Sequence, residues 1–89
     1  DEMMKELMGY LKARDFKSMR KWVGQHSDVE VPVILRSLYD MSDKYVEEKS
    51  IPQLIVTLAD YQYKAAFVAD GELNLTACLT EVMSECQFQ

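Results

Sequence analysis

The sequence predicts an all-α protein, a compact five-helix bundle, and its composition and periodicity support this prediction. The 89-residue chain contains three glycines and two prolines, too few for the many turns of a β-sandwich or barrel. Hydrophobic residues make up 48% of the chain, which is too high for a disordered protein. Many of them recur three and four residues apart, the spacing of one helix face. At this length residues 1–89 should form a single domain with one core.

The first two helices are predicted from apolar spacing and one capping residue. A helix over about residues 2–13 is indicated by Met4, Leu7, Met8 and Leu11. Asp15 is expected to cap the second helix, because a short acidic side chain can accept a hydrogen bond from the first turn. That helix should end near residues 24–26. Its inward side chains are predicted to be Phe16, Met19, Trp22 and Val23.

The third helix is predicted to begin after Ser27 and Glu30, which have the spacing of a capping box. Pro32 falls in its first turn, where a missing N–H costs little. Residues 29–35 are the nearest approach to a strand, but the capping box and the proline argue against one. The inward side chains of this helix are predicted to be Val31, Ile34, Leu35, Leu38, Met41 and Tyr45.

The last two helices are predicted on either side of a break at Asp70-Gly71. Ser50 and Gln53 form a second capping box, so the fourth helix should run from there to about Ala69. The fifth should fray after residue 85, and its apolar stripe comprises Leu75, Cys78, Leu79, Val82 and Cys86. The two cysteines on this stripe are about 12 Å apart along a helix, too far for a disulfide, so free buried thiols are expected.

The predicted fourth helix is apolar on two sides. One face is formed by Ile51, Leu54, Ile55, Leu58, Tyr61, Ala65 and Val68. The opposite side carries Val56, Tyr63 and Phe67, flanked by Ala59 and Ala66. Two interpretations remain open, because a helix that is apolar on two sides is either the central helix of the bundle or bears an interface.

The residue types needed for catalysis or for binding a cofactor are sparse. His26-Ser27-Asp28 contains the residues of a hydrolase triad, but a triad assembles from separate segments, so these neighbours do not form one. Glu47-Glu48 is typical of a solvated helix end. No zinc-binding, calcium-binding or phosphate-loop spacing is present. The sequence therefore predicts no enzyme, no catalytic residues, and no metal or cofactor in this chain.

The net charge of −5 is unevenly distributed. Residues 1–26 hold six basic and four acidic side chains, whereas residues 27–89 hold four and eleven. Five cations cluster around the first helical turn: Lys12, Arg14, Lys17, Arg20 and Lys21. They form either a solvated face or a patch for nucleic acid or an acidic partner. No apolar run approaches the roughly 20 residues that span a bilayer, so an intracellular, cytoplasmic protein without membrane contact is expected.

Two blocks of the sequence resemble one family. Residues 58–76, LADYQYKAAFVADGELNLT, resemble the C-terminal helical signature of clamp-loader small subunits, the AAA+ ATPases of the replication factor C type. Residues 11–23, LKARDFKSMRKWV, are similar to the first helical hairpin of that domain in the clamp-loader ATPase of T-even-like phages. The family often has Gly where Val68 stands and an acidic residue where Gly71 stands. The matching positions are Leu58, Ala59, Asp60, Tyr61, Tyr63, Lys64, Ala69, Asp70, Glu72 and Leu75.

The resemblance implies a five-helix collar domain, through which clamp-loader subunits join into a ring for clamp loading in DNA replication. The implied partners are other loader subunits, in a homo- or hetero-oligomer. The sliding clamp, primer–template DNA, ATP and Mg²⁺ would be bound by a longer parent. We therefore expect residues 1–89 to be a C-terminal fragment of an AAA+ protein, in the host cytoplasm if the gene belongs to a phage.

The resemblance also favours an interface on the fourth helix. The residues expected at subunit contacts are Val56, Tyr63, Lys64, Phe67, Leu73 and Ala77. Two other functions stay open. One is a stand-alone helical module that binds nucleic acid or protein through the basic first hairpin, and the other is a helical adaptor that binds a peptide in a groove.

Overall fold

The computed structural model describes all 89 residues and contains six α-helices, five of them long, with a short 3-10 turn at residues 48–50. The helices are α1 (Glu2–Ala13), α2 (Phe16–Gln25), α3 (Val31–Asp40), α4 (Ser42–Tyr45), α5 (Ile51–Ala65) and α6 (Gly71–Glu85). One isolated antiparallel bridge, between Val46 and Phe88, is the only β contact. The all-α prediction is confirmed. None of the helices combines the length and the hydrophobicity that a membrane-spanning segment requires.

Local side-chain hydrogen bonds fix the starts of three helices. The carboxylate of Asp15 accepts from the backbone N–H of Ser18 at 3.1 Å, as predicted for the start of α2. Asp70 caps α6 in the same way, through the N–H of Leu73 at 3.1 Å. Asp1 does so for α1. Each of these carboxylates satisfies a donor that the helix itself leaves free.

Both predicted capping boxes are wrong. Ser27 lies in the turn before α3, and the residue at the N-cap is Glu30, whose side chain makes no capping hydrogen bond. Ser50 does precede α5, but its backbone is already helical and its hydroxyl accepts from the N–H of Gln87 instead. The prolines are placed as predicted, in the first turns of α3 and α5.

The third and fourth predicted helices are both shorter than expected. The third breaks at Met41, where the backbone (φ −95°, ψ 0°) interrupts the helix, and the single turn of α4 follows. The helix α5 ends at Ala65 rather than near Ala69, so Phe67 and Val68 lie in the turn before α6. Beyond Ala65 the N–H groups of Ala66 and Phe67 donate to carbonyl oxygens only three residues back, so the α-helical pattern ends there.

The core consists of 19 buried apolar residues, and α6 lies at its centre, packed against α1, α2, α3 and α5. Every residue of the stripe predicted for the fifth helix is buried, and Met83 is buried beside it. Because α6 occupies the centre, α5 is not the central helix. Of its predicted inner face, Ile55 and Val68 are 40% and 39% exposed, while Thr57, outside that face, is buried.

The last four residues are bound to the body of the protein rather than frayed. The N–H of Glu47 donates to the carbonyl oxygen of Gln87, and the N–H of Gln89 donates to that of Tyr45, both at 2.9 Å. The side chain of Gln89 adds bonds to the carbonyl oxygens of Asp43 and Val46. These bonds close the segment between α4 and α5 over the end of α6. Both cysteines are free and buried, as predicted.

Candidate subunit interface

The second apolar stripe of α5 faces outward. Val56 is 63% exposed, Tyr63 is 69% exposed, and Phe67, just beyond the helix, is 72% exposed. These fractions contradict the interpretation in which the stripe belongs to the core. Of the two interpretations, a central helix or an interface, only the interface is left, and it stays a prediction.

Tyr63 and Phe67 form an aromatic pair on this surface. Their ring centroids are 5.1 Å apart and the rings are inclined at 57°, a tilted arrangement that aromatic pairs favour. Phe67 is held in position although α5 has ended, because its N–H donates to the carbonyl oxygen of Lys64 at 2.9 Å. The pair therefore presents an apolar ridge to the surroundings.

Lys64 already has partners within its own helix. Its ammonium group is 3.0 Å from the carboxylate of Asp60 and 4.7 Å from the centre of the Tyr61 ring. The hydrogen bond to Asp60 raises the pKa of Lys64 above its usual value. The Lys64 side chain is 48% exposed, so its charge can lie at the edge of an interface while it stays paired with Asp60.

Leu73 and Ala77 lie on α6, where they line a shallow groove together with Val68. Leu73 is 67% exposed, which is unusual for a leucine on a helix that is otherwise the centre of the core. Nearby, the buried side chain of Asn74 reaches the carbonyl oxygen of Tyr61 at 3.5 Å and links α6 to α5. The structure therefore brings two of the predicted contact residues together at the turn between α5 and α6.

A second groove, between α3 and α5, was missed by the sequence analysis. Tyr39, Ile55 and Ala59 contribute to its lining, and Tyr39 is 46% exposed. The guanidinium of Arg36 lies 5.1 Å from the centre of the Tyr39 ring and is paired with Asp40 at 3.0 Å. A signal was available in the sequence, since Ile55 and Ala59 fall at the boundary between the two apolar sides of α5.

The basic residues of the first hairpin are all exposed, and their role as a binding patch stays a prediction. Lys17, Arg20 and Lys21 lie on α2 without an ion pair. Lys12 lies on α1 and lines a different groove, which includes Lys44. The remaining cation, Arg14, is engaged with the C-terminal segment, where its guanidinium donates to the carbonyl oxygen of Cys86 at 3.2 Å.

The only histidine and the two thiols are placed in structural roles. The Nδ1 atom of His26 is 2.7 Å from the carbonyl oxygen of Trp22, which can only accept a hydrogen bond. The centroids of the two rings are 4.3 Å apart, with the ring planes inclined at 31°. Burial raises the pKa of the Cys78 thiol to about 12. Burial also raises the pKa of Cys86. The histidine and the thiols offer no paired groups for acid–base or nucleophilic work, and no three metal-ligating side chains converge.

The chain matches no protein-family model, and no curated protein is significantly similar to it.

Proposed function

We propose that this chain is an oligomerisation domain, the collar of a DNA polymerase sliding-clamp loader ATPase subunit, that holds the loader subunits in a ring. The observation that carries the proposal is the outward-facing aromatic pair of Tyr63 and Phe67, which are 69% and 72% exposed. The resemblance of residues 58–76 to the clamp-loader signature supports the same function.

The exposed aromatic pair has the chemistry of an interface anchor. Large apolar side chains grouped on the surface of a monomer typically mark a binding site. Tyr63 and Phe67 pack against each other, and each still leaves more than two thirds of its surface in water. Aromatic anchors that become buried at an interface commonly contribute about 2 kcal/mol or more each when truncated. A partner that covers this ridge would remove the apolar surface from water.

A ring also requires two different surfaces on each subunit, because repeated head-to-tail contacts join unlike patches. The chain offers more than one apolar surface. One is the ridge of Tyr63 and Phe67. Another is the groove lined by Val68 and Leu73, and the groove with Tyr39 and Ile55 lies between α3 and α5. In the proposed ring the ridge of one subunit contacts an apolar groove of the next.

The interface can be tested by sedimentation velocity with the substitutions Tyr63→Ser and Phe67→Ser, made in the 89-residue chain and in the loader subunit that carries it. Each substitution should weaken self-association or ring assembly by roughly 30-fold, the equivalent of about 2 kcal/mol. Phe16→Ser is the matched control, because Phe16 is a 44% exposed aromatic residue on α2, outside the proposed interface.

Two outcomes contradict the interface. One is unchanged assembly with both substitutions. The other is loss of helicity in the isolated chain, measured by circular dichroism, which would mean that the ridge supports the fold itself.

The membership in a clamp loader has its own test, the coding sequence upstream of Asp1. A glycine-rich phosphate loop followed by an acidic strand end supports it, and a start codon immediately upstream contradicts it.

A further inference from the structure

We infer that a groove between α1 and α4 binds the sugar–phosphate backbone of single-stranded nucleic acid. The groove is lined by Lys5, Lys12, Lys44, Gly9, Tyr45 and Gln89. Two of these lysines, Lys5 and Lys44, lie outside the basic cluster that the sequence analysis identified. The inference does not depend on the proposed subunit interface, which lies on α5 and α6.

Unpaired positive charge lies at this groove as well as on α2. Residues 27–89 contain four basic side chains, and three of them, Arg36, Lys49 and Lys64, are paired with carboxylates. The fourth is Lys44, and it lies in the groove with Lys12, which is also unpaired. Lys5 has a carboxylate partner in Glu2, but at 3.6 Å, with the Glu2 side chain 94% exposed. Exposed pairs of this kind are weak, so Lys5 is available to a phosphate.

The spacing of the lysines along this groove suits a phosphate chain. Lys5 and Lys12 are seven residues apart on α1, which places them two turns apart on the same side of the helix. Gly9 lies between them, and a Cβ added there would meet nothing within 4 Å, so the helix surface is open at this point. Lys44 contributes from α4. An extended phosphate backbone could therefore contact an ammonium group at each end of the groove.

The aromatic lining favours nucleic acid over an acidic peptide. Tyr45 is half-buried, and its ring lies 5.5 Å from the ammonium group of Lys44. Proteins that bind single strands without sequence preference combine lysines or arginines with aromatic rings on which bases stack. An acidic peptide would use the lysines but would gain nothing from the ring face. The −5 net charge of the chain limits this binding to low ionic strength.

The test is fluorescence anisotropy of a labelled oligothymidine of about 12 nucleotides, which is within the usual site size for a single-strand groove. Three lysine contacts predict that log K falls with log salt with a slope of about −2. The variant Lys12→Gln/Lys44→Gln should bind more than about tenfold more weakly at low salt and have a slope reduced to about −0.7. An abasic oligonucleotide of equal charge should bind more weakly than oligothymidine, because it lacks the bases that stack on Tyr45.

Matched controls separate the groove from overall charge. Lys49→Gln removes a positive charge from a surface outside both the groove and the proposed interface, and should leave the affinity within about twofold. Lys17→Gln/Lys21→Gln removes two charges from α2 and should likewise leave the affinity within about twofold. An equal loss of affinity in either control would overturn the assignment to this groove. Tighter binding of a poly-glutamate peptide than of oligothymidine, or no binding at low salt, would overturn nucleic acid as the ligand.

Discussion

The backbone N–H of Gln87 donates a hydrogen bond of 2.9 Å to the hydroxyl oxygen of Ser50, 37 residues earlier in the chain. Ser50 is 7% exposed, so the bond is largely shielded from water. It joins the C-terminal segment to the start of α5. A side chain that sequence pattern assigns to a helix cap thus stabilises a long-range contact.

Replacing Ser50 with Ala should lower the free energy of unfolding by about 1–2 kcal/mol, because the N–H of Gln87 loses its acceptor in a poorly solvated position. Urea denaturation at neutral pH measures the change. Ser27→Ala is the matched control, since Ser27 has the same predicted capping role but is exposed and caps nothing in the structure. Equal costs for the two substitutions would contradict a stabilising role for the bond between Ser50 and Gln87.

Arg14 adopts the left-handed conformation (φ 56°, ψ 38°) that ends α1, and it is the only non-glycine residue with positive φ. Arg14→Gly should be more stable than Arg14→Ala by about 1 kcal/mol, because glycine relieves the left-handed strain that alanine retains. Both variants lose the bond to the carbonyl oxygen of Cys86, so their difference isolates the backbone term. Equal melting temperatures would contradict this explanation.

Trp22 is 1% exposed, and its indole N–H donates to the carbonyl oxygen of Met3 at 3.1 Å. Trp22→Phe should reduce the free energy of unfolding by about 2 kcal/mol, since it leaves a small void and removes the bond that ties α2 to the start of α1. Thermal unfolding followed by circular dichroism checks the value. Phe16→Leu, at a site 44% exposed, should cost less than about 0.5 kcal/mol by comparison.

Cys78 makes the stability of the protein sensitive to alkaline pH. Burial raises the pKa of its thiol from 9.0 to about 12. As the pH rises, the thiol therefore loses its proton first in the unfolded protein. The contribution of Cys78 to the free energy of unfolding is fully present below pH 9 and is lost between pH 9 and 12. The slope from this group reaches about 1.4 kcal/mol per pH unit. The pKa of Tyr61 is also raised by burial, which adds to the fall at higher pH.

Urea titrations of the wild type and of Cys78→Ala at several pH values test this dependence. The wild type should be more stable at pH 7, because alanine leaves part of the thiol site empty. The difference should shrink as the pH rises above 9.0, the ordinary thiol value. A difference independent of pH would contradict a buried, protonated Cys78.

Much of the helical layout follows from short-range rules and was predictable. Asp15 caps α2, the prolines occupy first turns, and the stripe of α6 from Leu75 to Cys86 is buried in full. The contacts that set these features lie within four residues along the chain, or repeat at the helical period. The exposed aromatic pair was also recognisable, because Tyr63 and Phe67 fall four residues apart opposite the core face.

Other features depended on groups that are distant in sequence. The hydroxyl of Ser50 bonds to the tail rather than to its own helix, and no local pattern specifies that partner. Lys44 reaches the groove beside Lys5 and Lys12 only because α4 packs near α1. Thr57 could be buried because its hydroxyl bonds to Gln53 and Glu85, one of which lies on α6.

By itself, therefore, the sequence determined the all-α class, the approximate positions of the long helices and which residues could be apolar surface. The tertiary structure decided which of those apolar residues are covered. Since α6 takes the centre of the core, the second side of α5 has no neighbour within the chain, and Val56 and Tyr63 remain in water. Burial depends on how helices far apart in sequence pack together, and helical periodicity describes only one helix at a time.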